Sequence, residues 1–158
     1  MKKILFVCMG NICRSPTGEG IFKKHLEDRG SDDKVFVDSA GTIGYHAGKP
    51  ADARMQSAAG QKGYQLTSIS RQVTRGDLNE FDLVIAMDRE NYSDLQHLKR
   101  NSDSPTSATI KLLSDYLGGD WPTDVPDPYY GGDDGFHYVV EMIESACDGI
   151  HDELLGSE

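Results

Sequence analysis

Ile4-Leu5-Phe6-Val7-Cys8-Met9-Gly10-Asn11-Ile12-Cys13-Arg14-Ser15-Pro16 is the stretch whose reading decides the fold. Its first six residues form an apolar run of the length expected for a buried parallel strand. Its last two are start signals for a helix: Ser15 reads as an N-cap and Pro16 as the first helical residue, where its missing N–H is not needed. Between them lie Gly10 and Asn11, the residue types that most readily take the positive φ a tight loop needs. Such a loop turns successive backbone N–H groups toward one point, and the dipole of the following helix is aimed at the same point. The order is strand, anion cradle, helix.

Two side chains suit this cradle to more than anion binding. Cys8, at the carboxyl end of the strand, lies under the inward amides, where a helix N-terminus and a nearby arginine favour a thiolate. Arg14 follows six residues later, and its planar fork suits two equatorial oxygens of a phosphoryl group in a trigonal bipyramidal transition state. Ser15 can donate its hydroxyl to the Cys8 sulfur, first as nucleophile and then as leaving group. Met9, Gly10, Asn11, Ile12 and Cys13 make up the rest of the cradle. The spacing C-x5-R is weak on its own; the strand before it, Gly-Asn within it and Ser-Pro after it supply the context. A free cysteine without that context is most often a small buried hydrophobe.

The motif C-x-G-N-x-C-R-S-P resembles that of the low-molecular-weight protein tyrosine phosphatase family. The resemblance covers nearly the whole chain, including Asp38-Ser39-Ala40-Gly41-Thr42, Ser70-Arg71-Gln72, Ala86-Met87-Asp88 and Asp127-Pro128-Tyr129-Tyr130-Gly131. It implies that Cys8 is the nucleophile of a cysteinyl-phosphate mechanism, Arg14 the clamp on the transition state, and Asp127 the general acid and later the base for the hydrolytic water. It implies that Ser39 supports the loop by bonding the Asn11 side chain. Tyr45 falls where relatives carry a bulky residue at the mouth of the site. Tyr129 and Tyr130 either line the pocket or are surface turn residues, and in relatives this pair is a target of tyrosine phosphorylation. Cys13, in the same loop as Cys8, could form a disulfide with it under peroxide and make the enzyme redox-regulated, or simply pack behind the loop. Asp127 also has a reading of its own: a carboxylate between Pro126 and Pro128 sits on stiff, extended backbone, which suits an acid that must be held in place. The same residues without Cys8 and Arg14 would read as a plain turn.

At 158 residues the chain has the length of a single domain, 1–158, and 37% hydrophobic with 27% charged residues is an ordinary globular composition. Three cysteines make an odd count with no pairing framework, so a reducing, cytoplasmic setting is expected. No metal site is expected, since no clustered histidines accompany them, and no cofactor, since neither a Walker loop nor a complete G-x-G-x-x-G occurs. A net charge of −10 argues against nucleic acid and anionic membranes as partners. The loop amides and Arg14 would nonetheless form a locally positive pocket. Met1-Lys2-Lys3 and the run after it are too short for a signal peptide and lack a cleavage site. The expected partners are tyrosine-phosphorylated proteins or peptides, met by a monomer or a weakly self-associating chain.

Outward from the loop, Thr17–Arg29 reads as a helix with Ile21, Phe22 and Leu26 on one face, closed by Gly30. Gly18 and Gly20 near its start suggest close packing on the sheet. Val35–Val37 reads as a strand, 50–63 as a helix, Phe81–Met87 as a strand, and Asp88 as the cap of a helix reaching about Leu98, or, since that strand ends on the same sheet edge as Cys8, as a residue near the pocket. Ile110–Leu113 is a fourth strand, and from Phe136 a last helix carries Val139, Val140, Ile143, Cys147, Ile150 and Leu154 as a core-facing stripe. Alternating β and α elements imply an α/β fold in three layers: a four-stranded parallel sheet, helices on both faces, and the phosphate-binding loop after strand 1.

The function expected is hydrolysis of phosphotyrosine, with acid phosphatase activity on small aryl phosphates. The alternatives are a phosphoarginine phosphatase or an arsenate reductase on the same scaffold. Arsenate reduction relays a disulfide through two further cysteines, and none lies between Cys13 and Cys147. Relatives specialised for phosphoarginine tend to carry Thr where Ile12 stands, and an apolar residue suits an aromatic ring better. A non-catalytic anion-binding module would be favoured only if nucleophile, arginine or acid were missing.

Overall fold

Side chains alternate across a strand, and β1 (Lys2–Cys8) uses both of its faces: Ile4, Phe6 and Cys8 join one core, Leu5 and Val7 the other. This explains why its sequence is an unbroken apolar run rather than an alternating one. The computed structural model describes residues 1–102, 106–129 and 131–156; Tyr130 and part of the polar stretch 101–109 lie outside the described residues. β1 is flanked by β2 (Val35–Gly41) and β3 (Leu83–Ala86), with β4 (Thr109–Leu112) beyond β3, giving the parallel order β2-β1-β3-β4. Helices α1 (Arg14–Asp28), α2 (Ala53–Gly60) and α5 (Asp133–Leu155) pack on the face of Ile4 and Phe6. On the other face α3 (Asp77–Glu80) and α4 (Arg89–Arg100) bring Leu78 and Leu95 against Leu5, Val7 and Val84. Each fully buried aliphatic or aromatic side chain contributes roughly 1.5–3 kcal/mol relative to exposure, so β1 is anchored from both sides. The carboxyl ends of β1, β2 and β3 meet at one edge, where the chain moves from β1 to opposite neighbours, the usual place for a site in such a sheet.

The structure differs from the sequence expectations at several ends. α1 begins at Arg14, with Cys13 at the N-cap and no capping side chain, so Ser15 is not the cap. Its hydroxyl oxygen lies inward instead, 3.0 Å from the Cys8 sulfur and 3.3 Å from the Ala40 carbonyl. Gly10 does not take positive φ; among described non-glycine residues Asn11 alone does, at 58°. β2 runs on past Val37 to Gly41 because Ser39, Ala40 and Gly41 continue the register with Phe6, Val7 and Cys8. α2 is shorter than 50–63, since Asp52 caps it by accepting from the Arg54 N–H. Leu113 leaves the sheet and opens a 3-10 turn, Leu113–Tyr116, while α5 starts at Asp133, ahead of Phe136. Among the described residues no helix is long and apolar enough to cross a membrane.

Gly18 packs closely, as its place in the sequence suggests: a Cβ there would meet Phe6 Cδ1 at 2.7 Å and Met87 Cε at 3.0 Å. Overpacking of this kind costs about 1–3 kcal/mol. Gly18→Val is therefore expected to lower the melting temperature by roughly 2–12 °C, at about 2–4 °C per kcal/mol for a chain of this size. An unchanged melting temperature would show that Phe6 and Met87 yield freely.

His25 and His151 meet edge to face between α1 and α5, and neither His25 Nε2 nor either nitrogen of the buried His151 has a hydrogen-bond partner among the described residues. Burial, assisted by Arg29, holds His25 below its ordinary pKa of 6.5. The unfolded chain then takes up the proton first, so this contribution to stability is full above pH 6.5 and is lost as pH falls through the folded value. Melting temperature is expected to drop between pH 7.5 and 5.5, and His25→Leu to flatten that drop. Parallel profiles for the two proteins would remove His25 as the cause.

Candidate active site

A loop can aim its N–H groups inward only if its carbonyls are satisfied elsewhere. Here the Cys8 and Met9 carbonyls accept from the N–H groups of Thr42 and Ile43 at 2.9 and 3.1 Å, and the Ile12 carbonyl from that of Asp52 at 2.8 Å. The Gly10 carbonyl accepts from Ser70 Oγ at 3.1 Å, and the Cys13 carbonyl from Thr17 Oγ1 at 2.7 Å. Gly41 makes the approach of β2 to the loop feasible, since a Cβ there would lie 2.7 Å from the Met9 carbonyl oxygen. Gly10 is small for a different reason: a Cβ would lie 3.0 Å from His46 Cδ2.

Asn11 is the knot of the loop. Its positive φ turns its N–H toward Cys8 Sγ, 3.3 Å away. Its side chain donates to Ser15 Oγ at 2.8 Å and Ser39 Oγ at 3.0 Å, and accepts from the Arg71 N–H at 3.0 Å. Ser15 Oγ lies 3.0 Å from Cys8 Sγ, and Ser39 donates in turn to the buried carboxylate of Glu19 at 2.7 Å. A polar network thus runs from the Cys8 sulfur to Glu19, whose other oxygen accepts from Lys23.

Arg14 is 4% exposed and donates to Asp88 Oδ2 at 2.6 Å and to the Val125 carbonyl at 3.1 Å. Burial opposes its charge, but Cys8, Asp88 and Asp127 outweigh that and raise its pKa above the ordinary arginine value. Asp88 serves twice: Oδ1 caps α4 by accepting from the Asn91 N–H at 2.7 Å while Oδ2 holds Arg14. Asp127 Oδ2 lies 3.8 Å from Arg14 Nη2, and its Oδ1 accepts from the Tyr129 N–H at 3.0 Å.

Cys8, Met9, Gly10, Ile12, Cys13, Arg14, His46, Asp127 and Tyr129 line one pocket. Tyr45, expected at its mouth, is 79% exposed and stands outside this lining; its neighbour His46 takes the wall position, with Tyr45 edge-on to it at 4.8 Å. Asn11, Ser15 and Ser39 lie behind the wall, and Tyr130 is outside the described residues. Burial, with Asp52, Cys8 and Asp127, pushes the Cys13 thiol well above its ordinary range. Cys147 sits in the α5 core stripe, where burial pushes its thiol up to about 12.

Two residues of this arrangement, Glu19 and His46, have no site role in the sequence reading. Glu19 had one signal, lying four residues after Ser15 on the same helix face. His46 had none beyond adjacency to Tyr45. Asp88 reads first as a cap, with a place near the pocket as the alternative, and it holds both, capping α4 and bonding Arg14.

Cys8, with the Asn11 N–H turned toward its sulfur, shares one pocket with the buried Arg14 and with Asp127 at the carboxyl edge of a parallel α/β sheet. The family model for low molecular weight phosphotyrosine protein phosphatase matches residues 3–157. A putative low molecular weight protein-tyrosine-phosphatase of Synechocystis is 40% identical, covering 94% of this chain and 93% of its own. A protein tyrosine phosphatase structure from Entamoeba histolytica superposes with a TM-score of 0.88 at 43% identity over 95% and 94% of the two chains. A Drosophila arginine phosphatase superposes at 0.91 with 32% identity over 97% of each. This chain belongs to the low molecular weight phosphotyrosine protein phosphatase family and is a phosphatase.

Asp88→Ala removes an N-cap, worth about 1 kcal/mol, and the partner of a buried cation, worth about 3 kcal/mol or more. Asp88→Asn can still cap and is expected to lose less in urea unfolding. Equal losses would show that the cap contributes nothing.

Proposed function

We propose that the protein hydrolyses phosphotyrosine in proteins or peptides through a cysteinyl-phosphate, and small aryl phosphates by the same route. The observation that carries this reading is the convergence of Cys8, Arg14 and Asp127 on one pocket. The Cys8 thiolate attacks phosphorus; the loop amides and Arg14 take the charge that spreads over the equatorial oxygens. Asp127 gives its proton to the departing phenoxide and then takes one from the water that attacks the phosphocysteine, releasing Cys8 and inorganic phosphate. Ser15 bonds the sulfur at both stages, and Ser39 keeps Asn11, and so the loop, in shape. Tyr129 and the half-buried Ile12 offer the ring an apolar wall, which favours an aryl ester over the phosphoguanidinium of phosphoarginine. Under peroxide, Cys8 becomes a sulfenic acid; the Cys13 thiol displaces water from it to form a disulfide, which a reductant reopens.

Phosphate release from a phosphotyrosine peptide, with EDTA present and phosphoarginine and arsenate as comparison substrates, tests the assignment. The wild type is expected to turn over phosphotyrosine, Cys8→Ser to be inactive, and Asp127→Ala to lose about 10²–10⁴-fold in kcat. Turnover of phosphoarginine or reduction of arsenate in place of phosphotyrosine hydrolysis would overturn the substrate assignment and leave the loop chemistry standing.

A further inference from the structure

The pocket wall has a support that belongs to none of the catalytic groups. Arg54, the second residue of α2, reaches across to the segment after Asp127: its guanidinium carbon lies 5.3 Å from the centre of the Tyr129 ring and 4.9 Å from that of Phe136. One cation thus covers the rings of a pocket residue, 37% exposed, and of a fully buried anchor of α5. Asp52 fixes the orientation of the guanidinium, accepting from Arg54 Nε at 3.1 Å and Nη2 at 2.9 Å. Asp52 is itself tied to the phosphate loop, because its N–H donates to the Ile12 carbonyl. The connection runs from the loop that holds phosphate, through Asp52 and Arg54, to the ring that faces the substrate.

An ordinary surface ion pair would need none of this. Asp52 caps α2 through its own side chain and the Arg54 backbone N–H, so the Arg54 side chain is not required for the cap. Its planar group lies instead over aromatic rings, where a guanidinium is attracted to the π face and restrains the ring.

We propose that Arg54 is a positioning residue for the aryl wall: it holds Tyr129 at the distance from the phosphate loop that accepts a phenyl ring, and so sets the preference for aryl over alkyl phosphomonoesters. The inference rests on the functional reading above only in taking an aryl group as the occupant of the wall. Arg54 touches neither phosphorus nor the leaving oxygen, so its effect falls on recognition of the ring and not on the chemical step.

Two ligands separate these terms: inorganic phosphate, which meets the loop alone, and phenylphosphonate, which adds the ring. Arg54→Met is expected to weaken phenylphosphonate about three- to ten-fold, the effect of losing one such cation–ring contact, while inorganic phosphate changes by less than about two-fold. KM for a phosphotyrosine peptide rises by the same factor with kcat nearly unchanged. Arg54→Lys restores part of the loss, and Arg54→Met adds nothing in a Tyr129→Ala background. Equal weakening of phosphate and phenylphosphonate would overturn the proposal, since Arg54 would then act on the loop through Asp52; so would an unchanged phenylphosphonate affinity, or a wild type that binds phenylphosphonate no better than methylphosphonate. Failure of the wild type to hydrolyse phosphotyrosine, with the phenylphosphonate pattern intact, would sink the catalytic reading and leave the wall in place.

Discussion

The carbonyl oxygens of Cys8, Met9, Gly10, Ile12 and Cys13 are each held from outside the loop, and the rest of the site depends on that outward locking. A peptide plane whose oxygen is fixed on one side presents its N–H on the other, so the inward field of the cradle is a by-product of bonds that never touch the substrate. No single partner could do this for so tight a loop. The donors come from the end of β2, the cap of α2, the strap at Ser70 and the first turn of α1, four segments that the sheet topology brings to one edge. Asn11 completes the arrangement from within, accepting one unfavourable backbone conformation in exchange for three side-chain hydrogen bonds.

Charge at the site is arranged on the same logic. A chain of net charge −10 repels a phosphate dianion at long range, and selectivity for it is built at short range. Arg14 is the buried cation that makes the difference. It is kept charged and aimed by Asp88, whose second oxygen is occupied with capping α4. On the mechanism proposed above, the phosphoryl group meets a guanidinium whose position is already fixed, and little reorganisation is needed when charge develops on its equatorial oxygens. Asp127, by contrast, is a third exposed and lies 3.8 Å from the same arginine, on backbone set by Pro126 and Pro128.

The sequence made the central strand, the curled loop and the helix after it legible because their signals are local: an apolar run, Gly-Asn, Ser-Pro. The parallel sense of the sheet followed from the alternation of elements, and the strand order β2-β1-β3-β4 did not. What local signals misplaced was the division of labour. Ser15 looks like a cap because serine before proline usually is one, but its hydroxyl is drawn into the buried cluster of the Cys8 sulfur, the Asn11 amide and the Ala40 carbonyl. Gly10 and Asn11 both look like positive-φ residues, yet Asn11 alone takes that conformation and Gly10 instead makes room for His46. Asp88 can be read as a cap or as a pocket residue, but that it is both depends on Arg14, 74 positions away. Tyr45 and His46 are adjacent in sequence, and only the direction of each side chain decides which one enters the wall. α3, at four residues, is too short to leave a periodic signal.

The bonds that lock the loop also have an order in time. Cys8 and Arg14 leave the ribosome well before Ser70, Asp88 and Val125, whose bonds are required before the loop can close around the sulfur or the arginine can be aimed. Contacts of such sequence separation form late, because the closure entropy of the intervening chain must be overcome first. During synthesis the Cys8–Arg14 segment is a flexible peptide bearing a thiol and a guanidinium, and it takes its curled, locked form only when segments as distant as Ser70, Asp88 and Val125 have docked around it.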